Sequence, residues 1–439
     1  MRVSSEKSGW IISFFAVALC LLALRRYCVF LPFNGFFGSE PWNFFALVSS
    51  VVLFFLYVSY VVQALCPLNK QVLSIVELFS LILLIWYFAS GERDDFIMIF
   101  GWITLLWSIP WLVYIRGLLG RRYFIVLFVF IVLLQGLWGI TQFIVQRNLS
   151  LSEIGESVLA PSVAGVAKFN YRDIGFISPT ESGENFSKII RAYGPYPHSN
   201  SLAGSLILAL GALFLLAREH RSRLWSYAGY FLMLALLVTF SRTAWAMLAG
   251  LIICCWLVAY YQHRRSWHGF INGFMALTLI TLLLFTPLIW LRVTDSQDRG
   301  VTDRLSGWQT AVEIIGQHNW WEGSGLGRYD DSLRNLLQSE HYIYEPWQIE
   351  PVHSTGLLII AEQGVLAFVF WLVLVGWLLN RYYRKTWPWL LPLLGLLAFD
   401  HYFITQGGSA FMLVAWLVGL ANYPRRELTT KRVRPQNAL

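Results

Sequence analysis

The chain has 439 residues, 57% of them hydrophobic, 17% aromatic and only 13% charged, and its mean hydropathy is +0.56. That balance excludes a soluble globular domain and predicts an all-α, polytopic membrane protein with room for about a dozen spans of roughly 20 residues. The formal net charge of +8 follows from membrane topology and calls for no nucleic-acid partner.

Apolar runs bounded by charge predict spans at 9–24, 43–64, 71–90, 96–115, 122–145, 199–217, 224–241, 243–262, 269–291, 354–380, 386–404 and 405–422. Little more than TQGG separates the last two, so the count is twelve, or eleven if they merge. Arg25 and Arg26, rather than a small-residue cleavage site, follow the first run, which reads as an uncleaved span. With the N-terminus inside, the inner segments hold nineteen Lys and Arg against three Glu, whereas the rest of the chain holds fourteen basic and twenty-two acidic residues. The positive-inside rule therefore puts both termini in the cytoplasm and the two long loops outside. The expected organisation is a five-helix region (1–145), a first outer loop (146–198), a central four-helix region (199–291), a large outer catalytic loop (292–353), a three-helix region (354–422) and a basic cytoplasmic tail (423–439). In the second loop Leu305, Trp308, Val312 and Ile315 follow the spacing of a buried helical stripe, predicting an amphipathic helix laid across the bundle. Cys20, Cys28, Cys66, Cys254 and Cys255 lie in or beside apolar runs without CxxC spacing. They read as small hydrophobes, with neither a disulfide framework nor a zinc site.

The polar residues at the outer boundary are the informative ones. Arg191, in IIRAYGPYPHSNS, precedes the sixth span; alone it would be an interfacial arginine lying along apolar surface. Here a stiff Tyr193-Gly194-Pro195-Tyr196-Pro197 stretch leads to His198, Ser199 and Asn200. These supply caps and donors at a helix N-terminus, which carries partial positive charge, so the corner is receptive to anions. Arg242, in TFSRTAWAM, sits between two apolar runs almost without a loop. A charge at that depth faces the bundle interior and has a partner or a ligand. A structural ion pair is one outcome; a diphosphate, which suits the arginine fork, is the other. Arg304, four residues before Trp308, is a solvated helix residue on its own and a third cation over the same cavity in company.

His353, in IEPVHSTGLLIIAEQG, stands where the second loop re-enters the membrane, with Glu350 and Glu345 nearby to orient it. An imidazole, with an ordinary pKa of about 6.5, suits proton transfer near neutrality, whereas a capping role is the plainer alternative. Glu362, Asp400 and Glu77 are carboxylates inside apolar runs, and His401 follows Asp400 in LAFDHYFITQGG. They fit a transporter's proton relay, partners for buried arginines, or ties between helices. GSGLGRY lacks the strand of a dinucleotide fingerprint, and Asp94–Asp95 and Asp330–Asp331 lack a further ligand at metal spacing. The Trp and Tyr residues suit interfacial belts, and Trp320 and Trp321 also suit stacking on sugar rings.

Taken in order, these stretches resemble the bacterial O-antigen ligase and O-antigen polymerase superfamily. RAYGPYPHSNSLAG is similar to its R-x-x-G-x-x-x-x-x-N approach to a central span, SRTAW to its S-R-[ST]-[AG] motif, and DRLSGWQTAV with GSGLGRY to its R-x-x-x-W helix and glycine turn. PVHSTGLLIIAEQG resembles its H-N-x-x-L-x-x-x-x-E-x-G segment, with Ser354 in place of the usual Asn, and DHYFITQGG its penultimate-span motif. Residues 185–422 are covered. The resemblance implies a GT-C-like polytopic glycosyltransferase in the inner membrane, facing the periplasm or exterior, metal-independent and without a cofactor. It would take a polyprenyl-diphosphate-linked glycan as donor and pass it to a glycan, lipid or protein acceptor. On that reading His353 is the catalytic base. Arg191, Arg242, Arg304, Asn200 and His198 bind the diphosphate, and Glu362, Asp400 and His401 support them. A polymerase of the same superfamily shares this site. A lipid-linked-glycan flippase or transporter, which predicts inverted repeats absent from this sequence, is the rival from another class.

Overall fold

The computed structural model describes residues 105, 108, 109, 112, 113, 115–151, 156–160, 162, 163, 166–170, 188–219, 222–261, 265–294, 302–339, 349–383 and 390–421. The chain divides into two units, Met1–Tyr114 and Ile115–Leu439, and the second holds nearly all of these residues. The spans expected at 9–24, 43–64 and 71–90, most of that at 96–115, the tail 423–439, Glu77 and Glu345 lie outside the described residues.

In chain order the second unit contains helix α1 (Arg121–Val145), strands β1 (Lys168–Asn170) and β2 (Lys188–Ile190), then helices α2 (Ser199–Glu219), α3 (Arg223–Leu237), α4 (Arg242–Tyr261), α5 (Arg265–Leu284) and α6 (Thr286–Thr294). Helices α7 (Thr302–Gln317), α8 (Tyr329–Ser339), α9 (Thr355–Tyr382), α10 (Leu391–Phe399), α11 (Tyr402–Thr405) and α12 (Gly407–Leu420) follow. Arg121–Val145, Ser199–Glu219, Arg242–Tyr261 and Thr355–Trp377 are long and apolar enough to cross a membrane. Other expected spans are shorter, among them that at 405–422, which is the 14-residue α12. That at 224–241 is a 15-residue helix, about 22 Å long against a hydrocarbon core of about 30 Å. It stops because the Thr239 hydroxyl donates to the Leu236 carbonyl at 2.6 Å and Phe240 turns left-handed at φ 49. The span expected at 386–404 is helical over only Leu391–Phe399, then extended at Asp400 before the single turn of α11.

Helix α2 is the centre of the bundle, with 94% of its apolar window buried; α1, α3, α4 and α12 pack around it. Small residues let the neighbours close in: a Cβ at position 139 would stand 2.6 Å from the Leu202 side chain, and one at 136 would stand 3.1 Å from Ala235. At the other end of α1, the Arg116 guanidinium donates to the Ala421 carbonyl and Arg121 to that of Gly419. Both cations thus sit at the negative end of the α12 dipole. Although the chain reads as all-α, the stretch between α1 and α2 contains β1 and β2, which form an antiparallel ribbon with Lys168 opposite Ile190. Its base is buried by Leu159, Ile190 and Tyr193, and it delivers the chain directly to Arg191.

Helices α7 and α8 and the first turns of α9 share a separate core of Ala311, Ile314, Tyr329, Leu333, Leu336, Val352, Leu358 and Ala361. The predicted helix of the second loop is therefore present, but its buried stripe is corrected: Trp308, Ala311, Ile314 and Ile315 face inward, while Leu305 and Val312 are exposed. The small side chain of Ala311, which pattern-reading passes over, is what permits close contact. Helix α9 is broken at Gly364 (φ 80, ψ 171). The glycine turn after Trp321 fills the break: Ser324 and Gly325 N–H groups donate to the Ala361 and Glu362 carbonyls at 2.8 Å, and Val365 N–H donates to the Trp320 carbonyl at 2.9 Å. A Cβ on residue 364 would collide with the Trp321 carbonyl. We expect Gly364→Ala to destabilise the protein by at least the ~1–3 kcal/mol of a strained backbone residue. Gly376→Ala, which meets nothing within 4 Å, should be neutral or slightly stabilising. Thermal unfolding of the two variants in detergent checks the contrast.

Candidate active site

Arg191 is buried, 6% exposed, at the meeting point of the ribbon, the start of α2 and the α3–α4 turn. Its Nε donates to the Thr239 carbonyl at 2.7 Å and an Nη to Asn200 Oδ1 at 2.7 Å. The backbone repeats the connection, with Ala192 N–H donating to the Val238 carbonyl at 3.0 Å. His198 accepts the Asn200 N–H on Nδ1 at 3.1 Å and stacks on Tyr402 at 4.9 Å between centroids. Burial first, then the positive groups Arg191, His353, His401 and Arg304, holds its pKa well below the usual imidazole value. His198 is therefore a neutral ring that accepts on Nδ1 and carries its proton on the other nitrogen.

His353 lies just before α9. Trp308 Nε1–H donates to its carbonyl at 3.3 Å, and Ser354 begins the helix by accepting the Leu357 N–H on its hydroxyl at 3.4 Å. Ser354 thus acts as an N-cap. The His353 ring sits between two carboxylates, with Nδ1 3.4 Å from Asp400 Oδ1 and Nε2 3.7 Å from Glu350 Oε2. Asp400 is buried where α10 ends; its carbonyl accepts the Thr355 hydroxyl at 2.8 Å and its second carboxylate oxygen lies 3.9 Å from Arg304. Arg304 also donates to the Thr243 hydroxyl at 2.8 Å, next to Arg242, which opens α4 half-buried. His401 packs 5.2 Å from His353 and bonds Thr405 through Nδ1 at 2.7 Å.

The structure thus brings together Arg191, His198, Asn200, Arg304, His353, Asp400 and His401, and links Arg242 to them through its neighbour Thr243. Glu362 stands apart. Its carboxylate accepts the Tyr329 N–H at 3.3 Å, beside the glycine turn, so it organises the outer core rather than the imidazole. Cys254 and Cys255 are free thiols, and among the described residues no three metal-ligating side chains converge.

Sequence reading missed a network behind Arg191. The Gln142 amide, on α1, accepts the N–H groups of Gly194 at 2.7 Å and Tyr193 at 3.2 Å and donates to the Gly194 carbonyl at 3.1 Å. It also donates to Glu156 at 2.8 Å, and Glu156 takes Trp138 Nε1–H and the Leu149 and Leu151 N–H groups as well. A polar pair, Gln135 and Gln142, two helical turns apart in an apolar span was the available signal. Burial alone would raise the Glu156 pKa, but these hydrogen bonds outweigh it and leave the carboxyl below its ordinary value. With the folded pKa depressed, the stabilisation is present above the unfolded value of about 4.3 and is lost as pH falls through the folded one. Glu156→Gln should therefore unfold more easily at pH 7 and lose less of its remaining stability between about pH 5 and pH 3 than wild type, as chemical denaturation at a series of pH values would show.

A family model described as O-antigen ligase matches residues 227–372. The matched stretch runs from α3 into α9, includes Arg242, Arg304, His353 and Glu362, and stops short of Arg191 on one side and Asp400 on the other. No curated protein and no solved structure is detectably similar to the chain. The ordered motifs and this match agree: residues 227–372 are similar to the O-antigen ligase and polymerase superfamily.

Proposed function

We propose that this protein transfers a glycan from polyprenyl diphosphate, of the undecaprenyl type, to an acceptor hydroxyl at the outer face of the cytoplasmic membrane, as an O-antigen ligase does. In this reading the chain crosses the inner membrane twelve times with both termini cytoplasmic. The ribbon and helices α7 and α8 then lie outside, over the mouth of the bundle.

The observation that carries the proposal is the His353 ring held by Asp400 on Nδ1, with the exposed Glu350 farther off on Nε2, Arg304 on the Asp400 carboxylate and buried Arg191 in the same cluster. A carboxylate can only accept, so Asp400 holds the proton on Nδ1 and leaves the Nε2 lone pair free. His353 then removes the proton from the incoming hydroxyl as that oxygen attacks the anomeric carbon. The glycosidic C1–O bond breaks through an oxocarbenium-like state, and the electron pair leaves on the diphosphate. Arg191, Arg242 and Arg304 take up that charge in a site of low dielectric, where fixed cations act strongly. A single displacement inverts the anomeric centre, and none of these steps uses a nucleotide.

Reconstituted with a polyprenyl-diphosphate oligosaccharide and an acceptor, wild type should release free polyprenyl diphosphate equally with and without chelator. His353→Ala should lower the rate on the order of 10²–10⁴-fold and Arg242→Ala on the order of 10²–10³-fold. Asp400→Asn should also cost activity, because an amide can donate to Nδ1 and stabilise the wrong tautomer. An intact donor that only changes leaflet would make the protein a flippase, and a fully active His353→Ala would remove the assigned base.

A further inference from the structure

A base that acts once per turnover must lose its proton before it acts again, and the two carboxylates at His353 are unequal in this respect. Asp400 is 5% exposed, and Arg304 and Thr355 hold its carboxylate and its carbonyl. Asp400 thus faces little water, and its carboxylate is already engaged by Arg304. Glu350 lies on the other nitrogen, and its side chain is 52% exposed. It is the nearer water-facing carboxylate to Nε2, the nitrogen left basic when Asp400 holds the proton on Nδ1. The peptide around it is fixed as well, since Ile349 packs against the outer core and Val352 is part of it.

We propose that Glu350 is the proton exit of the site: it takes the acceptor's proton from His353 Nε2 and releases it to the outer aqueous phase. The inference rests on the glycosyltransferase reading and extends it. The acceptor O–H proton moves to Nε2 as the new C1–O bond forms and the diphosphate departs with its electron pair. The Nε2–H of the imidazolium then passes to Glu350 Oε2 and from there to water or buffer, which returns His353 to its starting tautomer. No oxidant, metal or nucleotide enters the balance. The 3.7 Å separation leaves the acceptor hydroxyl room to approach Nε2, after which a small side-chain rotation closes the gap. Partial burial pushes the Glu350 carboxyl above the usual carboxylate value; His353 opposes that, while Asp330 of α8 and Asp400 add to it. A carboxyl raised in this way takes up a proton more readily.

The test uses the full-length protein in proteoliposomes and compares wild type, Glu350→Gln and Glu350→Asp for release of polyprenyl diphosphate at several buffer concentrations. Glu350→Gln is isosteric and uncharged, so it removes the proton acceptor while keeping the packing. Its kcat should fall on the order of 10-fold or more, with KM for the donor unchanged. Adding imidazole or acetate should raise the variant's kcat in proportion to the free-base concentration, while wild type stays insensitive to buffer. Glu350→Asp should retain most of the activity without rescue. A Glu350→Gln protein with wild-type kcat, or one whose loss does not respond to buffer, would overturn the proton exit and leave the glycosyltransferase standing. If wild type itself releases no polyprenyl diphosphate under any buffer, the function on which the inference rests fails first.

Discussion

A buried guanidinium sets the terms for the rest of the molecule. Arg191 cannot be placed among apolar helices without partners, because an unpaired charge there costs several kcal/mol. Its partners come from two elements far apart in sequence: the Thr239 carbonyl at the α3–α4 turn and Asn200 in the first turn of α2. Meeting those bonds fixes where α3 must stop, how the ribbon meets the bundle and which way the N-terminus of α2 faces. Gln142 and Glu156 extend the constraint backwards, pinning Tyr193 and Gly194 to α1. The corner is rigid before any ligand arrives, which is the condition for fixed charge to lower a barrier.

The histidine in the same cluster follows the same logic. Backbone that is not helical at membrane depth needs protein partners for its polar groups. The interruption between α10 and α11 finds them locally: the Asp400 carbonyl takes the Thr355 hydroxyl, and the His401 carbonyl takes the Thr405 N–H at 3.1 Å. Breaking the helix there turns Asp400 toward His353, which a continuous span would not do. The break in α9 at Gly364 works similarly for α7 and α8. Glycine alone tolerates both the positive φ and the approach of the Trp321 carbonyl, so the glycine turn can anchor α7 and α8 to the membrane-entering part of α9. Two interruptions thus serve one end, the placing of polar groups on otherwise apolar helices.

Much of this was legible in the linear order of residues. Hydropathy located α1, α2 and α4 to within a residue or two at most ends, because a helix surrounded by lipid or by other helices must be apolar along its whole length. Unusual polar residues at span boundaries pointed to Arg191, Arg242, His353 and Asp400, because charge at such positions is expensive and so carries information. The inward face of α7 was misread because Leu305 and Val312 outweigh Ala311 in any hydrophobicity pattern, while packing favours the residue that lets helices approach. Glu362 was grouped with the site by motif, yet its hydrogen bond to Tyr329 ties it to the outer core.

By itself the sequence determined the membrane class, the order of the apolar helices and the likeness of its central part to O-antigen ligases, and it singled out most of the cations and acids that the structure brings together, since each depends on local composition or short spacing. Only the tertiary structure decided that Asp400 and Glu350 take opposite nitrogens of His353, that Thr243 receives Arg304, and that Gln142 and Glu156 hold the loop after Arg191. These contacts join residues from 3 to 61 positions apart in the chain. No periodicity encodes them; they exist because buried polar groups must be satisfied wherever the packed helices bring a partner within reach.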